Sequence, residues 1–157
     1  MTPPGLAAGA ADVTVTTDGA IGPAQTVTIG AAGPGIFVSP DGASAAATHA
    51  NGSLVGSFTG ATPARSDETI TIYGTGFGAT IPTPGNGEAF GEQAPLSLPA
   101  DVRIGSTSVA PDYIGGTPGF TGLYPIRLRV PPVPAGNYDA TVTIAGVSSP
   151  SVKLAIE

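Results

Sequence analysis

No window of twelve residues in this 157-residue chain is free of Gly and Pro and also carries apolar residues at three-to-four spacing. A helix interior tolerates neither residue well, Gly costing about 1 kcal/mol and Pro about 3 kcal/mol relative to Ala. Helix is therefore excluded as the main element. The 24 Gly and 17 Pro would by themselves suit a low-complexity chain. Only 10% of residues are charged, however, and mean hydropathy is +0.26, the reverse of the polar, charged composition that keeps a chain disordered. The expectation is an ordered, turn-dense, nearly all-β domain of ordinary size, or one domain plus a fraction of another.

Several segments alternate with period two, as half-buried strands do. In 12–17, Val13 and Val15 oppose Thr14 and Thr16; in 24–29 the apolar set is Val27 and Ile29. Asn51-Gly52 is a two-residue hairpin signal ahead of 53–58, and 68–73 places Ile70 and Ile72 inward. Val102 and Ile104 alternate with Asp101 and Arg103. The clearest strand is 126–130, with Ile126, Leu128 and Val130 on one face and Arg127 and Arg129 on the other. Tyr138, Ala140, Val142 and Ile144 form the next apolar row, and Val152, Leu154 and Ile156 close the chain. Short strands between Gly and Pro turns point to an immunoglobulin-like sandwich. The stretch 74–100 has little alternation and is expected to be an ordered surface loop.

The front of the chain repeats its end. From Ala8 to Ile29 the sequence aligns without a gap on Ala135 to Ile156 at a constant offset of 127, and nine of the 22 pairs are identical. The upstream Pro3-Pro4 matches Pro131-Pro132. The expected organisation is a hairpin over 1–30 that repeats the closing hairpin, connecting strands over 31–64, and an immunoglobulin-like domain over 65–157. An isolated hairpin is marginal in water and must pack on more sheet. It can join its own sandwich, form a half-domain on top of it, or complete the sheet of a neighbour. In the last case the contact is head to tail, and such a contact need not close.

At Tyr73-Gly74-Thr75-Gly76-Phe77-Gly78 and the strands that follow, the chain resembles an IPT/TIG immunoglobulin-like domain over roughly residues 65 to 157. Gly33-Pro34-Gly35-Ile36-Phe37, the Gly-Thr-Gly-Phe-Gly segment and 118–131 together resemble, in order, the uncharacterised C-terminal domain family named after Solibacter. That resemblance implies an exported bacterial protein, often repetitive, and brings no catalytic residues.

The composition narrows the chemistry. There is no Cys, hence no disulfide framework and no thiolate chemistry. A net charge of −6 with five basic residues, Arg65, Arg103, Arg127, Arg129 and Lys153, does not supply a phosphate-neutralising surface, so nucleic acid is not an expected partner. Membrane insertion is not expected either, because no apolar run reaches spanning length. The first thirteen residues lack the basic flank and apolar core of a signal peptide, which leaves a cytosolic chain or a mature or excised segment of something longer; low charge, many Thr and Gly and no Cys favour the second, with an extracellular or cell-surface location.

Individual residues give no catalytic constellation. Gly74-x-Gly76-x-Gly78 has the wrong spacing for a dinucleotide turn and reads as a turn needing positive φ. His49, the single imidazole, is expected on the surface. Asp67 and Glu68 are adjacent, face opposite sides of a strand, and are expected to blunt its start. Asp12, Asp18, Asp41, Asp101, Asp112 and Asp139 fall at turns without calcium-loop spacing and read as solvated carboxylates, so no cofactor or metal is expected. Arg127 and Arg129 form a solvated face able to clamp a partner's carboxylate. Phe120 and Tyr124 are weighed as a sugar-stacking pair against core or loop anchoring. Asn51-Gly52-Ser53 matches a glycosylation sequon but reads as a turn.

The sequence thus points to a non-catalytic, exported structural protein, self-associating through Val13, Val15, Val27, Ile29, Arg127 and Arg129 into an extracellular filament. The alternative is a carbohydrate- or surface-binding accessory module using Phe120 and Tyr124.

Overall fold

The structure, a computed structural model, describes residues 7–157. The first six residues of the expected 1–30 hairpin, with Pro3-Pro4, lie outside the described residues. Seventeen strands and no helix are present among those described. An N-terminal hairpin contains β1 (Gly9–Val13), β2 (Thr16–Thr17), β3 (Ala20–Ile21) and β4 (Gln25–Ile29). Then come β5 (Gly35–Ile36), β6 (Ala47–His49), β7 (Leu54–Val55), β8 (Ala61–Thr62), β9 (Thr69–Thr75) and β10 (Ala94–Pro95). The rest are β11 (Ala100–Ile104), β12 (Thr107–Val109), β13 (Pro111–Gly116), β14 (Tyr124–Arg129), β15 (Gly136–Ile144), β16 (Val147–Ser148) and β17 (Val152–Ile156).

Two sheets form the sandwich. One runs β10-β13-β14-β9-β6-β7-β8, with β5 also on β9; the other runs β12-β11-β15, with β16 and β17 on the far edge of β15. The period-two patterning fixes which side chains meet between them. Ile70, Ile72, Ile126 and Leu128 from the first sheet, and Val102, Ile104, Val142, Ile144 and Leu154 from the second, share one core with at most 1% exposure each. Burying each such side chain stabilises the fold by about 1.5–3 kcal/mol. A slip of one residue in any of these strands would turn its apolar row to solvent. The all-β sandwich expected from the sequence is what the chain forms.

Two segments contribute more to the core than their sequence pattern announces. Segment 31–64 does more than connect: β5 and β6 pair with β9, and Ala45, Ala47, Val55 and Ala64 are buried in the same core as the rest of the sandwich. The stretch 74–100 is, after the end of β9, a mostly exposed and irregular segment with the short β10, and it is anchored at a few points. It drives Phe77 and Phe90 into the core, where they flank Tyr124 with ring centroids 5.2 and 5.8 Å away. Large aromatics without alternation anchor a loop as firmly as a strand does.

Candidate functional site

The N-terminal hairpin reproduces the closing hairpin bond for bond. β1 pairs with β4 from Gly9↔Ile29 to Val13↔Gln25, and β15 pairs with β17 from Gly136↔Ile156 to Ala140↔Val152, each pair displaced by 127. Beyond it, Thr16↔Ile21 and Thr17↔Ala20 correspond to Thr143↔Ser148 and Ile144↔Val147. The two-residue turns match as well, Asp18-Gly19 at φ 50° and 79° against Ala145-Gly146 at 49° and 84°, the positive φ pair that suits the twist of a tight hairpin. Gly22 donates its amide to the Val15 carbonyl as Ser149 does to that of Val142. Asp12 accepts from the Thr26 hydroxyl where Asp139 accepts from Lys153.

Their surroundings differ completely. In the closing hairpin, Ala140, Val142, Ile144, Val152, Leu154 and Ile156 face the core and are buried. Their counterparts are Val13, Val15, Thr17, Gln25, Val27 and Ile29, of which Ile29 is half-buried and the others are exposed, Val15 at 69%. β15 is covered on its free edge by β11. β17 is covered by residues 43–45 and by Ala64, which exchange backbone hydrogen bonds with Lys153, Ala155 and Glu157. The N-terminal copy meets no third strand on either edge among the described residues. Four of the ten large apolar side chains left exposed among the described residues, Val13, Val15, Ile21 and Val27, lie on it. Apolar exposure is thus concentrated beside open strand edges.

The hairpin is joined to the sandwich by a fitted connection. The Gly33 amide donates to the Gly76 carbonyl at 2.9 Å. A Cβ on Gly78 would stand 2.5 Å from the Ala31 carbonyl oxygen, one on Gly74 would stand 2.6 Å from that of Gly35, and one on Gly76 would collide with that of Gly33. Gly76 and Gly78 have the positive φ expected of a glycine turn. The motif serves in addition as a bare backbone strip on which 31–35 lies. Beside it opens a cleft of about 860 Å³, bounded by Thr28 and Ile29 of the hairpin and by Glu88, Phe90 and Tyr124 of the sandwich.

Val13, Val15 and Val27 are therefore free to make contacts, and Ile29 is half free. Arg127 and Arg129 share an exposed face. The Arg127 guanidinium sits 6.0 Å from the centre of the Tyr113 ring, and Arg129 is 3.9 Å from Asp67. Phe120 and Tyr124 are not brought together as a stacking pair. Phe120 is 56% exposed, whereas Tyr124 is buried at 6% and donates its hydroxyl to the Gly78 carbonyl at 3.0 Å. Burial pushes the Tyr124 phenol up from its ordinary pKa.

Among the turn carboxylates, Asp41, Asp101 and Asp139 have local partners, as Asp12 does. The Ser44 hydroxyl and the backbone amides of Ala43 and Ser44 hold Asp41 below the usual carboxylate range. Lys153 does the same for Asp139. Asp101 accepts from the Ser108 hydroxyl at 2.6 Å. No three His, Cys, Asp or Glu side chains gather among the described residues to hold a metal.

His49 departs from its expected surface position. Its side chain is only 13% exposed. Nδ1 lies 2.7 Å from Glu68 Oε1, and Nε2 lies 3.0 Å from the Thr62 hydroxyl and 3.2 Å from the Thr62 carbonyl oxygen. The carboxylate, imidazole and hydroxyl follow the order of a hydrolytic triad beside a cleft of about 410 Å³ that also includes Arg65 and Glu157. Sequence reasoning missed the cluster because its members lie 13 and 19 residues from His49. The pairing of Ala47–His49 with β9 brings Glu68 alongside, and the β6-β7-β8 ladder brings Thr62. With both nitrogens engaged, the ring fastens β6 to β8 and to the start of β9.

No family model, curated protein or solved structure matches the chain.

Proposed function

We propose that the chain is a non-catalytic structural protein of the extracellular surface that joins head to tail with units of its own kind, through strand contacts made by the N-terminal hairpin, into a filament. The observation that carries this is the hairpin itself: two strands with both edges open and Val13, Val15 and Val27 exposed. A sheet edge of this kind takes an added strand through main-chain hydrogen bonds, with alternate side chains setting register. A hairpin that adds to the neighbour's sandwich uses a different surface from the one it meets, so the contact is heterologous and need not close. The IPT/TIG-like motif, with its Solibacter-type company, supports an exported, repetitive setting. An accessory module that binds carbohydrate is less favoured, since Tyr124 is inside the core and leaves Phe120 as a lone exposed ring.

The Glu68–His49–Thr62 string belongs to the framework. Its Nε2 is shared between the hydroxyl and carbonyl of a single residue, which suits a clasp. Turnover of an activated ester that Thr62→Ala abolishes would overturn the non-catalytic assignment.

Light scattering and electron microscopy of the purified chain test the proposal. It expects mass that grows with concentration, and filaments. A monodisperse monomer at every concentration would contradict it.

A further inference from the structure

The closing hairpin shows what the N-terminal copy is built to hold. We infer that residues 8–30 are a closing element for a second immunoglobulin-like unit of this chain's own type, one equivalent to residues 31–134 and lacking a closing hairpin of its own. The inference rests on the head-to-tail proposal's premise that the hairpin is the contact; it holds that a complete copy takes the hairpin by edge addition alone, and that insertion into a core needs a unit without its last hairpin.

The internal repeat specifies the fit. A strand equivalent to β11 would lie along Val13–Thr17 as β11 itself lies along Ala140–Ile144, with Val102↔Val142 and Arg103↔Thr141 becoming contacts to Val15 and Thr14. Segments equivalent to Ala43–Ala45 and Ala64 would take the edge of β4 at Thr26 and Thr28, as they take Lys153 and Ala155. The apolar row Val13, Val15, Val27 and Ile29 would enter the partner's core where Ala140, Val142, Leu154 and Ile156 enter this one. Every backbone group the partner needs is already in register and carried on an identical turn.

A complete second copy fits this role poorly. Its acceptor edges are filled by its own β15 and β17. The N-terminal hairpin is also the weaker closer, with Thr17 where the closing hairpin has Ile144 and Gln25 where it has Val152. Polar side chains at core positions cost stability unless hydrogen-bonded, so residues 8–30 do not displace 135–157. A complete copy meets the hairpin only by edge addition, whereas a unit without its last hairpin meets it with edges and core together.

The test uses the full-length chain with residues 135–156 replaced by the sequence of residues 8–29. The expected result is a cooperatively unfolding protein with the wild-type denaturant slope, a lower midpoint, and grafted amides slowed in hydrogen exchange like those of β15 and β17. A second graft carries Ile and Val at the positions filled by Thr17 and Gln25. If only this one folds, register and edges suit a closing hairpin but residues 8–30 themselves do not close a unit, and the inference is overturned. Loss of cooperative folding in both grafts overturns it. Self-association of the wild-type chain is read separately by light scattering, so a monomeric wild type with a folded graft would sink the filament proposal alone. Filaments with two unfolded grafts would sink this inference alone.

Discussion

Gly33 donates its amide hydrogen to the carbonyl of Gly76 at 2.9 Å, and its own carbonyl oxygen fills the place that a Cβ on Gly76 would take. Gly76→Ala must therefore push the connection off the strip as well as strain a φ of +75°. The expected loss is above the roughly 1–3 kcal/mol of backbone strain alone, with a changed hairpin position visible in the amide shifts of residues 31–33 and of Gly35. Gly42, at φ +72° with open space around it, supplies the control: Gly42→Ala carries the backbone strain only. Equal losses in the two variants would mean that the strip does not hold the connection.

The two hairpins predict unequal responses to matched truncations. Leu154 is 1% exposed and its counterpart Val27 is 39% exposed. Leu154→Ala should cost about 2–5 kcal/mol by urea unfolding. Val27→Ala should stay within about 0.5 kcal/mol in the dilute chain and weaken association instead. A loss above about 2 kcal/mol at Val27 in the monomer would show that its side chain is already buried within the molecule.

Much of this arrangement is legible in the sequence, for reasons that differ by element. The strands around Ile70, Ile126, Val142 and Leu154 have one wet face and one dry one, so their alternation is visible. The repeat is visible because a hairpin's register survives substitution as long as its turn and spacing do, which is why Asp18-Gly19 and Ala145-Gly146 adopt the same turn with only the glycine in common. β13 was not legible: in Pro111-Asp112-Tyr113-Ile114-Gly115-Gly116 the glycines alternate with nothing, and its place is set by pairing with β14 and β10. The burial of Phe77 and Phe90, and the partners of His49, depend on contacts distant in sequence that no local pattern announces.

His49 joins three strands through Glu68 and Thr62. His49→Ala should lower stability by about 1–3 kcal/mol, because it leaves the Glu68 carboxylate without its short hydrogen bond. Glu68→Gln should cost less, since an amide oxygen can still accept from Nδ1. Urea midpoints of the two variants check this. A change under about 0.5 kcal/mol for His49→Ala would reduce the cluster to a surface contact.

Burial of Tyr124 gives the fold an alkaline limit. An unfolded Tyr releases its proton near pH 10, and Tyr124 in the folded chain does so only above that. Between the two the unfolded chain binds fewer protons, so stability falls as pH rises; below about pH 10 the contribution is intact. Tyrosinate absorbance should rise in a late step that coincides with unfolding, and Tyr124→Phe should flatten the alkaline fall. An early, fully reversible titration of all four Tyr in the folded protein would contradict the burial.

The central claim is that the hairpin of residues 9–29 is an open contact completed by another unit. Amide hydrogen exchange of β1 and β4, followed from dilute to concentrated solution with β15 and β17 as internal reference, tests it most directly. The account predicts fast exchange along Val13–Thr17 and Gln25–Ile29 in the dilute chain and slowing of these amides as particle mass grows, while β15 and β17 stay slow throughout. Hairpin amides as slow as those of β15 in a dilute monomer, or unchanged by assembly, would contradict it.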